Sequence, residues 1–294
     1  MPITKHSFIV KDITTLADTV RRAFYIAQSG RPGPVLVDVT KDVTGAKYEY
    51  TSRRPAAVLP KVDTIKSEDI DTAVQLISES KKPFIFTGGG TIISNASPEL
   101  TELAHRIDAP VCDSLMGKGG FSGEDPLYTG MLGMHGNLGP NINTNKCDVL
   151  IAVGMRFDDR VTGNLATYAK QAKVIHFDID PAEVNKNVKV DIAVLGDCKN
   201  TLAAVTGLLK ENKHTEWNDS FKEYEKVEEE KVIRPELYPA TDSLTMGEVA
   251  RAVSEATHHE AVLVTDVGQN QMISARYFKY SKERSIITSG GLGT

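Results

Sequence analysis

Between residues 67 and 209, short apolar runs alternate with stretches of helical spacing, and this alternation constrains the fold more than any other feature. Pro83 to Thr87, Pro110-Val111-Cys112, Val149 to Val153, Val174 to Phe177 and Ile192 to Leu195 read as buried strands. Between them lie expected helices. Ser67 is placed to cap one whose apolar face is Ile70, Ala73, Val74 and Ile77, and others are expected near 98–108 and around 163–171. Asp197 is placed to cap a fourth, bearing Leu202, Val205, Leu208 and Leu209. Strand and helix alternating at this pitch imply an α/β fold: a mostly parallel sheet covered by helices on both faces. That domain is expected to occupy 61–212.

Two further pieces flank it. Residues 13–29 carry Leu16, Val20, Ala23, Phe24 and Ala27 at helical spacing, Gly30-Arg31-Pro32-Gly33-Pro34 ends the helix, and Val35 to Val39 reads as a strand. Tyr48 to Lys61 has no period and reads as a linker. The segment 213–240 is strongly charged and reads as a solvated linker helix. Thr245-Met246-Gly247-Glu248 is a capping-box signature heading a helix with Val249, Ala250 and Val253. A strand over 261–265, a helix near 270–279 and a strand over 285–288 follow. Met1 runs at once into Pro-Ile-Thr-Lys-His-Ser-Phe, and the far end stops at Ser-Gly-Gly-Leu-Gly-Thr straight after an apolar run. An internal piece of a longer protein is therefore expected.

Bulk composition narrows the function classes. At 294 residues the chain is long enough for a sizeable core and about two ordinary domains. The 34 basic and 39 acidic residues leave a net charge of −5, which argues against broad binding to nucleic acid or an anionic membrane. No apolar run approaches the ~20 residues of a membrane span. No secretory signal opens the chain, and a cytoplasmic location is expected. Cys112, Cys147 and Cys198 are odd in number and far apart, which fits a reducing compartment and neither a disulfide framework nor a zinc site.

Ligands of open parallel sheets bind beyond the carboxyl ends of strands. Gly88-Gly89-Gly90 follows a strand there, and it suits either a phosphate approach or a tight turn. Met134 and His135 lie in a Gly-rich loop and suit contact with a flat ligand. Gly154 opens a segment with Arg156, Asp158, Asp159 and Arg160, which either pair among themselves or take phosphate and sugar. Asp178 ends a strand 24 positions after Gly154, where an acid receives a ribose hydroxyl. Together these favour a dinucleotide. No nucleophile–base–orienter set and no catalytic Cys signature is present.

Several strings occur in one order: Pro2-Ile3-Thr4-Lys5, Gly30-Arg31-Pro32-Gly33-Pro34-Val35-Leu36-Val37-Asp38 and Met131-Leu132-Gly133-Met134-His135-Gly136. Arg156-Phe157-Asp158-Asp159-Arg160-Val161-Thr162-Gly163, His176-Phe177-Asp178-Ile179-Asp180-Pro181, Asp266-Val267-Gly268-Gln269 and Ser289 to Thr294 follow. The whole chain resembles the large, catalytic subunits of acetolactate synthase (acetohydroxyacid synthase), which depend on thiamine diphosphate.

The resemblance implies a complete central Rossmann-like domain flanked by parts of two thiamine-binding domains. Residues 1–45 would end the pyrimidine-binding domain, 46–60 would be a linker, 61–212 the central FAD-binding domain, 213–240 a charged linker, and 241–294 the start of the diphosphate-binding domain. It implies FAD contacts from Arg31, Gly88, Gly89, Gly90, Ser114, Leu115, Met134, His135, Gly154, Arg156, Asp158, Arg160, Val161, Asp178, Ile179, Asp197 and Cys198. It implies a thiamine diphosphate site opened by Gly268, Gln269 and Asn270, with Gly293 near the thiazolium. The family commonly has His where Asn270 stands, and Pro where Thr40 stands. Also implied are Mg2+, the substrates pyruvate and 2-ketobutyrate joined with loss of CO2, a homodimer or higher oligomer, and a regulatory small subunit. The activating Glu and the Mg2+ motif of the family have no counterpart in this chain, so the chain alone is expected to be inactive. The rival readings are glyoxylate carboligase or an FAD-free catabolic acetolactate synthase, and, in another class, a non-catalytic nucleotide-binding module.

Overall fold

The computed structural model describes residues 3–59, 64–240 and 243–290. The chain divides into two compact units, Met1–Asp63 and Thr64–Thr294.

In the first unit β1 (His6–Val10) pairs in parallel with β2 (Val35–Val39), from His6 opposite Val35 to Val10 opposite Val39. The crossover is α1 (Ile13–Gln28), whose first turn is capped by Asp12 Oδ1 accepting the Thr14 amide at 2.9 Å. A short α2 (Lys41–Gly45) follows β2. The expected stripe on α1 is buried only at Ala23, while Val20 and Phe24 are exposed, because two strands give the helix little to lie against within this unit. Residues 46–59 hold no helix or strand.

The second unit is built on one six-stranded, all-parallel sheet. Its elements in order are α3 (Ser67–Glu79), β3 (Pro83–Thr87), α4 (Gly89–Ile93), α5 (Ser97–Ile107), β4 (Val111–Asp113), β5 (Tyr128–Met131), α6 (Leu138–Asn143), β6 (Val149–Val153), α7 (Asp159–Thr162), β7 (Lys173–Asp178), β8 (Ile192–Leu195) and α8 (Cys198–Leu208). The strand order is β5-β4-β3-β6-β7-β8. The central strands β3 and β6 are apolar at every position but Thr87 because both faces are covered. Ile85, Ile151, Ile175 and Phe177 pack under α3, α5 and α8 through Ile77, Leu103, Leu202 and Val205. Phe84, Phe86, Leu150 and Ala152 face the other way, against Met155, Phe157, Trp217 and Phe221.

Several sequence expectations change here. Ser67 is the first helical residue of α3 rather than its cap; Lys66 holds the cap position. Asp197 occupies the cap position of α8, but its carboxylate accepts from the Asn200 side chain instead of a helix amide. Leu208 is exposed. The helix expected around 163–171 does not form: α7 ends at Thr162, and turns follow. Gly163 has φ +54°, Asn164 Oδ1 takes the Ala166 amide, and Asn145 Oδ1 takes the Ala169 amide, so side chains capture groups a helix would use.

The charged stretch after 212 forms α9 (Thr215–Glu228), which is not solvated all round. Trp217 and Phe221 lie one turn apart on its buried side, and Trp217 Nε1 donates to the Pro83 carbonyl at 2.8 Å. A π-helical turn over Glu229–Ile233 leads to α10 (Arg234–Leu237). Last come α11 (Met246–Ala256), β9 (Leu263–Val264), α12 (Gln269–Tyr277) and β10 (Ile286–Ile287), with β9 and β10 parallel. Thr245 caps α11 through the Glu248 amide, as its signature predicts. Val249 and Val253 are exposed, however, and the helix buries Ser254, which pairs with His259 and takes the Lys279 amide. No helix among the described residues is long and apolar enough to cross a membrane.

Candidate nucleotide site on the sheet rim

Where β3 ends, the chain turns toward β4 and β5; where β6 ends, it turns toward β7 and β8. The connections diverge between β3 and β6, and open α/β sheets take their ligands in the crevice at the carboxyl edge of such a switch point. The backbone ladder continues one step past the strands. Ser114 donates to Thr87, Gly88 to Val153, Gly154 to Phe177, Gly196 to Asp178 and Leu132 to Asp113, at 2.8–2.9 Å. These bonds tie the loops of all six strands into one rim.

The rim carries every flavin-candidate residue of this unit: Gly88–Gly90 after β3, Ser114 and Leu115 after β4, Met134 and His135 after β5, Gly154 to Val161 after β6, Asp178 and Ile179 at and after β7, Asp197 and Cys198 after β8. Arg31 belongs to the first unit, where its carbonyl accepts from Lys5 Nζ at 3.0 Å.

The glycines on either side of the crevice are there for backbone contact. A Cβ on Gly88 would lie 2.5 Å from Met155 Cβ, and one on Gly90 2.6 Å from Gly154 Cα. Gly154 itself has φ +55° and comes as close to the Thr91 amide. The two loops therefore interlock, with the Gly90 amide donating to the Gly154 carbonyl at 2.8 Å.

The loop after β5 is shaped by two asparagines that sequence reading did not single out. Asn137 Oδ1 accepts the Met131 amide, and Asn141 bonds both the amide and the carbonyl of Gly133. Met134 and His135 are left exposed. After β6, Met155 and Phe157 point into the core, so Arg156 and Asp158 point outward. Arg156 Nε sits 3.3 Å from Asp158 Oδ2, and Asp158 also caps α7 through the Arg160 amide. The pairing among themselves that the sequence left open is thus present, with Arg160 still exposed. Asp178 accepts the Asp180 amide at 2.8 Å and lies 3.5 Å from the buried His176, which donates to the Met155 carbonyl. Cys198 has its thiol in the core, where burial pushes it well above the usual thiol range, so only its backbone reaches the rim.

Beside the rim lies a buried polar group absent from the sequence reading. Lys118 donates to Asp113 Oδ1 at 3.1 Å and to the Tyr128 hydroxyl at 2.9 Å, and Tyr128 donates to the other Asp113 oxygen. Burial raises the Asp113 carboxyl above its ordinary value, against the pull of Lys118. The only sequence signal was an Asp and a Lys five positions apart in an apolar setting.

In the last part of the chain Gly268, with φ +119°, precedes α12, and Gln269 and Asn270 are exposed on its first turn. The neighbouring Gln271 is buried and donates to Thr288 Oγ1 and the Ser289 carbonyl, which pins this turn to the chain leaving β10. Gly293 lies outside the described residues. Among the described residues no group of three or more His, Cys, Asp or Glu is placed to hold a metal ion.

Residues 70–205, which include the whole rim sheet, match the central domain of thiamine pyrophosphate enzymes. The six-stranded sheet and its rim thus resemble the central domain of that enzyme class. Along its entire length the chain is 44% identical to a probable acetolactate synthase large subunit of Methanocaldococcus jannaschii, covering 51% of that protein. It is 39% identical to the acetolactate synthase large subunit of Haemophilus influenzae and 42% to that of Parasynechococcus marenigrum, covering 52% and 48% of them. Along its whole length the chain is similar to acetolactate synthase large subunits, and it spans about half the length of these curated relatives.

Proposed function

We propose that the protein acts in acetolactate synthesis, joining two pyruvates, or pyruvate and 2-ketobutyrate, with loss of CO2, and that its six-stranded rim holds FAD. The observation that carries the flavin part is the convergence of all six strand-end loops on one switch-point crevice. Asp178 is a ribose acceptor, Arg156 and Arg160 meet the diphosphate, and Met134 and His135 lie against the flat ring. Gly88, Gly89, Gly90, Ser114, Leu115, Asp158, Val161, Ile179, Asp197 and the Cys198 backbone complete the cradle.

Thiamine diphosphate, with Mg2+, supplies the electron sink for ketoacid decarboxylation and ligation when bound. This chain's share of that site is Gly268, Gln269 and Asn270, a turn open to solvent and held still by Gln271. A Cβ at Gly268 would meet nothing within 4 Å, which supports an approach by a ligand there. The domain reading is 1–45 pyrimidine-binding, 46–60 linker, 61–212 central FAD-binding, 213–240 charged linker and 241–294 the start of the diphosphate-binding part. A homodimer or larger assembly with a regulatory small subunit, in the cytoplasm, completes the proposal; the relatives' printed names, which call them large subunits, support a smaller partner.

The test is to purify the whole protein of which this chain is a part, identify any flavin released on denaturation, and assay acetolactate formation from pyruvate with thiamine diphosphate and Mg2+, with and without FAD; the 294-residue chain alone is expected to form none. Co-purifying FAD supports the reading. A flavin-free protein that forms acetolactate would move it to the catabolic synthases.

A further inference from the structure

Three elements meet at one point of the loop after β5. Glu228, buried at the end of α9, accepts the Leu138 amide at 3.1 Å and the Asn137 side chain at 3.3 Å through Oε2. Its other oxygen pairs with Arg276 near the end of α12. Arg276 also donates from Nη1 to the Gly136 carbonyl at 3.0 Å. Gly136 has no room for a side chain, since a Cβ there would lie 2.3 Å from the Met131 carbonyl, so the loop cannot shift toward its own start. The Met134–His135 turn is thereby gripped from behind by one ion pair, its carboxylate buried and its guanidinium partly so.

Arg276 stands on the helix that begins at Gln269. Seven residues of α-helix span about 10 Å, and the far end is pinned by Gln271 to Thr288 and Ser289. A single rigid helix therefore runs from the exposed turn at Gln269–Asn270 to the loop that carries Met134 and His135.

We propose that Arg276 and Glu228 are positioning residues that couple the flavin loop to the first turn of α12, so that ordering either end of the helix orders the other. The coupling rests on the FAD reading of the rim. Its physical content is reciprocal: a ligand that stabilises the loop around Met134 must stabilise α12 to the extent that the Arg276–Glu228 pair transmits it.

The experiment is hydrogen exchange on the 294-residue chain, alone and with saturating FAD. FAD is expected to slow exchange in the rim loops 131–138 and 154–162, and also in 269–277, by several-fold. Arg276→Gln, and separately Glu228→Gln in case the first variant folds poorly, should keep the protection of 154–162 and lose that of 269–277. Protection of the rim without protection of 269–277 in the unaltered chain overturns the coupling while leaving the flavin reading intact. So does a variant that folds and keeps the protection of 269–277. No protection anywhere overturns the flavin reading and the coupling together.

Discussion

The Met134 amide donates to the Arg160 carbonyl at 2.8 Å. These residues belong to the loops after β5 and β6, strands three places apart in the sheet, so the bond draws together loops whose strands lie about 14 Å apart. The loop after β5 thereby crosses the ends of β4 and β3 and roofs the crevice where the connections diverge. A dinucleotide on this rim would meet the two loops as one surface.

Gly133 makes that bond possible. It has φ +115°, and a Cβ would sit 2.7 Å from the Arg160 carbonyl. Gly133→Ala should separate the loops and raise the dissociation constant for FAD about tenfold, equivalent to roughly 1.4 kcal/mol. Flavin fluorescence titration reads this directly, and an unchanged constant would remove the roof from the account.

Asp178→Asn keeps an oxygen for the Asp180 amide but gives up the charge. The variant should melt within a few degrees of the parent and bind FAD roughly tenfold more weakly, since a hydrogen bond to a charged acceptor is worth about 1.5 to 3 kcal/mol. Equal affinity for FAD would dismiss Asp178 as the ribose acceptor.

Asp148 separates stability from binding. It stands just before β6, at the opposite end of the sheet from the rim, and accepts Ser80 Oγ and the amides of Lys81 and Lys82 at 2.5–2.9 Å. Partial burial works against it, yet those hydrogen bonds hold its carboxyl below the usual value of 3.8. A lowered carboxyl contributes stability above its unfolded value, and that contribution is lost as pH falls through the folded one. Asp148→Asn should cost about 1 kcal/mol near pH 7, with solvent screening limiting the effect. The difference should shrink as pH falls below 3.8 and through the lowered folded value, and FAD affinity should not change. Chemical denaturation of both proteins across pH is the measurement; a gap that persists in acid would contradict it.

Trp217→Ala should cost about 3 to 5 kcal/mol, read as a lower denaturant midpoint, because it empties the second face of the sheet against Phe84 and Phe221. A loss under about 1 kcal/mol would mean that α9 is a tether, as its charge suggested.

That helix marks where reading the sequence ran out. The strands Pro83 to Thr87 and Val149 to Val153 were readable because burial on both faces leaves Thr87 as their one polar residue. In α9, counting charges hid two aromatics on one face. The turns of 163–171 and the loop 131–138 are set by Asn137, Asn141, Asn145 and Asn164 bonding to backbone, and such bonds leave no periodic trace. Of the candidate rim residues, Gly88 to Gly90, Met134, His135, Arg156, Asp158, Arg160 and Asp178 were named from residue chemistry after strands, whereas Ser114, Leu115, Val161, Ile179, Asp197 and Cys198 came from the family resemblance alone. The clamp of Glu228 on Arg276 joins positions 48 apart that only the fold brings together.

The central claim is that the carboxyl edge of this sheet takes a flavin dinucleotide, and the most direct measurement is a fluorescence titration of the purified chain with FAD. The account predicts saturable binding of one FAD per chain, weakened about tenfold by Gly133→Ala and unaffected by Asp148→Asn. A titration that never saturates, or one in which Asp148→Asn weakens binding as much as Gly133→Ala does, would contradict it.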